Sequence, residues 1–295
     1  MISTRVAVIG MWHLGCTASV GLAEAGYIVT GVDFDKKTID NLKINTPPLF
    51  EPGLADLVKK NSRAGRLNFT GDFKSALREK KFIIIAFDTP VNNQDQPDAS
   101  VLYKACKEIA KYASDGCIII IMSQVPVGVC RDMKKFILKR RPTMKCEIVY
   151  NPENLRLGQA IKTFLEPDRV IIGLENESMR KTIEKFYKVI NAPKLYMDLE
   201  SAEMVKHATN CFLAMSISFI NEIADICEIT GADVRKVVEG LKADGRIGAQ
   251  AFLSPGIGYA GGTLGRDIAV LRGLGKAGKL KVRLINAVRE VNQNR

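Results

Sequence analysis

Residues 6–33 read VAVIGMWHLGCTASVGLAEAGYIVTGVD, and the punctuation of this stretch decides the fold. Residues 6–9 form a short β-branched run that stops at Gly10. Gly10-Met-Trp-His-Leu-Gly15 then opens a helix-period segment to Ala25, and residues 28–32 make a second strand-like run closed by Asp33. Strand, glycine turn, helix, strand and acid, in that order, describe a βαβ dinucleotide-binding unit. Glycine permits the tight turn, the amides at the helix end receive a pyrophosphate, and the acid accepts from a ribose 2′-hydroxyl. Asp33, 23 residues after Gly10, favours NAD over NADP. The reading predicts cofactor contacts from Gly10, Trp12, His13, Leu14, Gly15 and Asp33. Trp12 stands at the middle position, where glycine normally lets the backbone approach the phosphates, so the competing reading is a tryptophan that fills the cleft. His13 has two readings, a phosphate contact or a surface side chain.

Moving outward, further apolar runs at 82–86, 117–122, 147–150, 170–172 and 194–197 alternate with helix-period segments. That alternation predicts an α/β fold with a Rossmann-like, doubly wound parallel sheet. The pattern changes at Asp198. From Ser201 to Thr230 the chain is helical in character, without proline, and Gly231 is placed to stop it. Its apolar residues surround the helix, which predicts burial against another domain or a second subunit; dimerisation is the preferred use. Asp233 can cap a further helix to Leu241, and a last helical stretch runs from Asp267 toward Arg295, with Asp267 as its candidate N-cap. The expected organisation is an NAD-binding domain over 1–197 and an all-helical dimerisation domain over 198–295 that carries substrate-site residues.

With 295 residues, 46% of them hydrophobic, the chain can bury a full core. The longest apolar runs fall far short of the roughly 20 residues that span a bilayer, and the first residues lack the series of regions that makes a signal peptide. No membrane association and a cytoplasmic location are the expectations. Seven cysteines with no C-x-x-C pair argue against a disulfide framework or a zinc site. The net charge of +11 comes from scattered lysines and arginines with little aromatic interleaving, a poor match for nucleic-acid binding and a good one for attracting a small anionic, phosphate-bearing substrate.

A second glycine-rich stretch, Phe252 to Asp267, reads FLSPGIGYAGGTLGRD. Its glycines predict a backbone that closely approaches a ligand. It resembles the closing signature, roughly G-Y-G-G-S-C-F-P-K-D, of the UDP-glucose/GDP-mannose dehydrogenase family. Further segments resemble the same family in the same order. Residues 45–53, NTPPLFEPG, match P-x-x-E-P-G-L; residues 86–90, AFDTP, with 98–100, DAS, match G-T-P and D-x-S. Residues 123–128, SQVPVG, match S-T-V-P-V-G, while 151–158, NPENLRLG, and 167–169, PDR, match N-P-E-F-L-R-E-G and P-D-R. Residues 202–210, AEMVKHATN, continue through 218–222 and 244–248.

The resemblance implies NAD as cofactor, with Thr89, Pro90, Gln124 and Glu153 added to its contacts. It implies substrate contacts from Asn154, Leu155, Arg156, Arg246, Phe252, Gly258 and Gly261. Lys206, Asn210, Asp267 and Thr263 are implied at the reacting centre. Lys206 and Asn210 lie at i and i+4, so one helix face can point both at a single substrate oxygen. Arg246 has a plainer reading as a surface ion pair.

Three polar positions that carry the family's acid chemistry differ here: Gln124 replaces threonine, Leu157 replaces glutamate and Thr263 replaces the cysteine whose thiolate captures the aldehyde. A threonine hydroxyl is a poor nucleophile without an adjacent base. The expectation is therefore a single two-electron hydride transfer on an alcohol or carbonyl of an anionic substrate, possible candidates including a sugar nucleotide. The alternatives are a four-electron sugar-nucleotide 6-dehydrogenase forming a uronic acid, and a non-catalytic dinucleotide sensor or assembly subunit. The family's third, nucleotide-gripping domain is expected to be missing, no metal is called for, and a homodimer is expected.

Overall fold

The computed structural model describes residues 4–89, 98–153 and 155–295, and the chain divides into two compact units. The first holds residues 4–89 and 99–204, and its strands are β1 (Arg5–Ile9), β2 (Ile28–Val32), β3 (Leu67–Thr70), β4 (Phe82–Ile85), β5 (Cys117–Ile121), β6 (Cys146–Tyr150), β7 (Val170–Leu174) and β8 (Lys194–Asp198). They form one sheet in the order β3-β2-β1-β4-β5-β6-β7-β8. Between them run α1 (His13–Glu24), α2 (Lys36–Lys43), α3 (Leu54–Arg63), α4 (Phe73–Leu77), α5 (Ser100–Tyr112), α6 (Val129–Arg140), α7 (Ala160–Leu165) and α8 (Arg180–Phe186).

The β-branched runs explain the sheet's centre. Every residue of β4 and β5 is buried, as strands covered by helices on both faces must be. The winding reverses between β1 and β4, which are parallel neighbours, so the carboxyl ends of these two strands flank the switch-point crevice where open α/β sheets bind ligands. Gly10 leaves β1 there, and residues 86–88 leave β4 beside it.

Two features correct the sequence expectation. β3 was not foreseen: LNFT is short and only partly buried, and its pairing with β2 supplies what its composition does not. The sheet is also not wholly parallel, because β7 runs antiparallel to β6, with Tyr150 opposite Gly173. Among its described residues the connection between them carries one helix, the six-residue α7, which packs on α1 where Gly21 leaves room for the Phe164 ring.

Two buried polar side chains of this unit tie its elements together. Asn151 donates to the Ile171 carbonyl at 2.9 Å and accepts from the Tyr187 hydroxyl at 2.7 Å, pinning the end of β6. The fully buried Glu203 accepts from the Gly128 and Cys130 amides at 2.6 and 2.9 Å, placing a carboxylate on the positive end of α6.

The second unit is built on Val205–Arg295 and is helical among its described residues. Its elements are α9 (Leu199–Thr230), α10 (Val234–Ala243), a π-type turn over Gly261–Gly265, α11 (Arg266–Ala277) and α12 (Arg283–Asn294). Asp233 caps α10 by accepting from the Arg235 amide. The expected single last stretch is two helices, because the Gly278–Lys279 corner breaks it, Lys279 taking a left-handed φ of 55°. Cys211 and Ala214 of α9, Ile268 of α11 and Val288 of α12 make a small core. No helix among the described residues is long and apolar enough to cross a membrane.

Candidate functional site

The glycine turn after β1 is tightly built. A Cβ on Gly15 would lie 1.6 Å from the Gly10 carbonyl oxygen, and one on Gly10, whose φ is 96°, would meet the Phe87 ring at 2.8 Å. Only glycine lets the first turn of α1 rest on the loop in this way. Asp33 closes β2, and its Oδ2 accepts from the Met11 amide at 2.5 Å while Oδ1 accepts from the Asp35 amide at 2.9 Å. Beside Asp33 a cleft of about 440 Å³ opens between Phe34, Lys36, Ile39, Asp40 and Lys43, large enough for a nucleoside.

Leu14, in the first turn of α1, donates its amide to the Asp88 Oδ2 at 3.1 Å. Trp12 precedes α1 and is 50% exposed. An acid at the end of β2 and a helix terminus that already holds a carboxylate oxygen are compatible in type with the ADP half of a dinucleotide.

His13 is not the surface side chain that one reading expected. Its Nε2 lies 2.9 Å from Glu51 Oε1, with the two side chains 12% and 1% exposed. Glu51 also accepts from the Gly158 amide at 3.0 Å and the Ala160 amide at 3.3 Å. Burial pushes its carboxyl upward, but the Gly158 amide, the His13 ring and the Ala160 amide outweigh this and hold it below the usual carboxylate range. Glu51 thus joins the head of α1 to the start of α7.

Thr89 donates to the Gln124 carbonyl at 3.1 Å, and both residues are buried. Glu153 accepts from the Leu155 amide at 2.8 Å, a bond within its own loop. Arg156 is exposed and pairs with Asp168 at 3.3 Å. The expected contacts Pro90 and Asn154 lie outside the described residues.

In the second unit, α9 and the start of α11 assemble a buried polar cluster. Asp267 is fully buried, and its Oδ1 lies 2.5 Å from His207 Nδ1 while its Oδ2 accepts from Asn210 Nδ2 at 2.6 Å. Asp267 is therefore not the N-cap expected from its position; its carboxylate turns inward to α9, and Gly265 holds the cap position. His207 and Asn210, at i and i+3, share a face of α9, and Lys206, 7% exposed, precedes them. With its amide nitrogen committed to Asp267, Asn210 has its carbonyl oxygen as the acceptor for a partner. His207 is the residue that sequence reasoning left without a role; a histidine three positions before Asn210 on an otherwise apolar helix was the available signal.

The glycine-rich loop before the cluster is clamped rather than open. A Cβ on Gly258 would lie 2.5 Å from Asn292 Oδ1, so the missing side chain lets Asn292 approach closely. Asn292 accepts from the Tyr259 amide at 2.8 Å and donates to the Tyr259 carbonyl at 3.0 Å, and Asn221 accepts from the Gly256 amide at 2.8 Å. Gly261 begins the π-type turn, and Thr263 within it is exposed. Phe252 is half exposed. Arg246 lies in a bidentate pair with its neighbour Asp244, at 2.6 and 3.0 Å and 90% exposed, which is the surface ion pair rather than a gathered site residue.

All seven cysteines are free and buried. Burial pushes the thiols of Cys16, Cys106, Cys117 and Cys211 up to about 12. Among the described residues no group of three metal-ligating side chains is gathered.

Comparison with known proteins agrees with both halves. Residues 4–191 match the model of the UDP-glucose/GDP-mannose dehydrogenase family, NAD binding domain, and residues 200–294 match the central domain of the same family. The chain is 39% identical over 290 residues to UDP-glucose 6-dehydrogenase TuaD of Bacillus subtilis, covering 98% of this chain and 63% of that protein. A UDP-glucose 6-dehydrogenase of Rhizobium meliloti is 37% identical, with 99% and 68% covered. The chain thus spans about two thirds of the length of these relatives. Among solved structures, a UDP-glucose dehydrogenase of Pyrobaculum islandicum superimposes with a TM-score of 0.92 at 29% identity, covering 99% of this chain and 68% of that one.

Proposed function

Because this chain belongs to the UDP-glucose/GDP-mannose dehydrogenase family, we propose that it is an NAD-dependent oxidoreductase acting on a CH–OH group of a nucleotide sugar or a related phosphorylated substrate. Residues 1–197 would bind the cofactor and residues 198–295 would carry the groups at the reacting carbon. When bound, NAD supplies a hydride acceptor. The chain's own part is to hold the reacting oxygen and manage its proton. The ammonium of Lys206, on the Asn210 face of α9, stabilises negative charge developing on that oxygen. The Asn210 carbonyl accepts from the substrate hydroxyl and orients it, in the rotamer that Asp267 sets. Asp267 holds His207 through Nδ1, which makes Nε2 the basic nitrogen of the ring.

The observation that carries a single two-electron transfer is Thr263, an exposed hydroxyl in the position the family gives to its thiolate. A neutral hydroxyl does not capture an aldehyde as a thiolate does, and every cysteine is buried elsewhere. The relatives' names favour a second reading, four-electron oxidation to the uronic acid. Product analysis with UDP-glucose, GDP-mannose and UDP-N-acetyl sugars separates them: we expect one NADH per substrate and a carbonyl product. Two NADH and a uronic acid would establish the second reading instead.

We also propose a homodimer joined along α9. Phe212, Phe219 and Ile226 recur every seven residues on that helix and are 46–61% exposed, and Ile229 is 85% exposed. Such a stripe loses water contact when a second copy covers it.

A further inference from the structure

The family's G-T-P has a glycine where this chain has Asp88. The residue is exposed, lies three positions after β4 and faces the head of α1 across the switch-point crevice. Its carboxylate accepts from the Leu14 amide at 3.1 Å. The first amides of a helix have no partner within the helix, and α1 supplies none of its own: the residue before it makes no side-chain cap, and its first turn has no acid. Asp88 comes instead from 74 residues away to occupy that place. These are the amides a dinucleotide's pyrophosphate requires, and one position cannot hold a carboxylate and a phosphate oxygen together.

We propose that Asp88 is a built-in occupant of the anion seat at the head of α1, and that it weakens dinucleotide binding by competing with the cofactor's pyrophosphate. This rests on the cofactor reading above. A purely structural cap has the opposite consequence, since removing it would loosen α1 and weaken binding. The sign of the effect therefore separates the two roles.

Trp12 makes the test direct. It is the chain's single tryptophan and sits half exposed one residue before α1, so its quenching and energy transfer to NADH report binding without turnover. The intact chain and the variants D88N and D88G are titrated with NADH, ADP and adenosine, with circular dichroism confirming the fold. Asp88→Asn keeps the shape and an acceptor oxygen while removing the charge. We expect Kd for NADH and ADP to fall about tenfold in both variants, the scale of a helix-end charge effect, with adenosine unchanged because it carries no phosphate. Equal or weaker NADH binding in both variants, with clear binding by the unaltered chain, overturns the role of Asp88 and leaves the cofactor reading standing. No NADH binding by any of the three overturns both.

Discussion

Replacing Glu51 by alanine should destabilise the first unit by about 4 kcal/mol, and the figure follows from what its carboxylate holds. Hydrogen bonds to an ionised group contribute about 1.5–3 kcal/mol each, while a buried donor left without a partner costs about 1–3 kcal/mol. Of Glu51's three donors, the Gly158 amide lies on an exposed residue and water can replace the lost bond. Water cannot reach the Ala160 amide in the same way, because Ala160 is fully buried, and His13 is nearly so. Two costly losses and one cheap one total about 4 kcal/mol, a large part of the roughly 5–15 kcal/mol that holds a domain together. Glu51→Gln keeps one acceptor but turns an amide nitrogen toward donors, so about 2 kcal/mol is expected. Urea unfolding followed by Trp12 fluorescence reads this next to the altered site. With a slope of about 3 kcal/mol per molar, the alanine variant should unfold more than about 1 M earlier. A midpoint shift below about 0.3 M would refute the argument. The pH dependence has a definite sign: the folded carboxyl titrates below its unfolded value of about 4.3, so the stabilisation is complete above that pH and is lost as pH falls through the folded value.

Asp267→Asn turns a carboxylate oxygen into a donor facing either His207 or Asn210, and turnover should fall about a hundredfold or more while NADH binding is unchanged; unaltered turnover would remove Asp267 from the site. Gly15→Ala drives a methyl to 1.6 Å from the Gly10 carbonyl oxygen, so loss of NADH binding of at least about tenfold, or loss of the fold, is expected by titration and circular dichroism. Iodoacetamide at about pH 8 should leave turnover intact, because all seven thiols are buried away from the reagent; inactivation tracking the alkylation of one cysteine would point to sulfur chemistry after all. Phe219→Glu places a charge in the exposed stripe of α9, and sedimentation should then give the mass of one chain where the unaltered protein gives two.

Much of this protein is legible in its sequence because the signals are periodic and local. The β-branched runs, the glycine turn between β1 and α1 and the acid after β2 each follow from neighbours a few positions apart. Even the pairing of Lys206 with Asn210 on one helix face needs only the turn of a helix. Other features depend on partners that no local pattern specifies. LNFT is a strand because β2 lies beside it, and the antiparallel direction of β7 shows only in its pairing with β6. Glu51 belongs to a recognisable motif, yet its work is decided by amides 107 and 109 residues away. Asp267 reads as a helix cap until α9 presents His207 and Asn210 to it across about 60 positions of chain, and Asp88 reads as a loop residue until Leu14 faces it. The buried carboxylates of Glu51 and Asp267 must find donors away from water, and only the folded chain determines which donors are within reach.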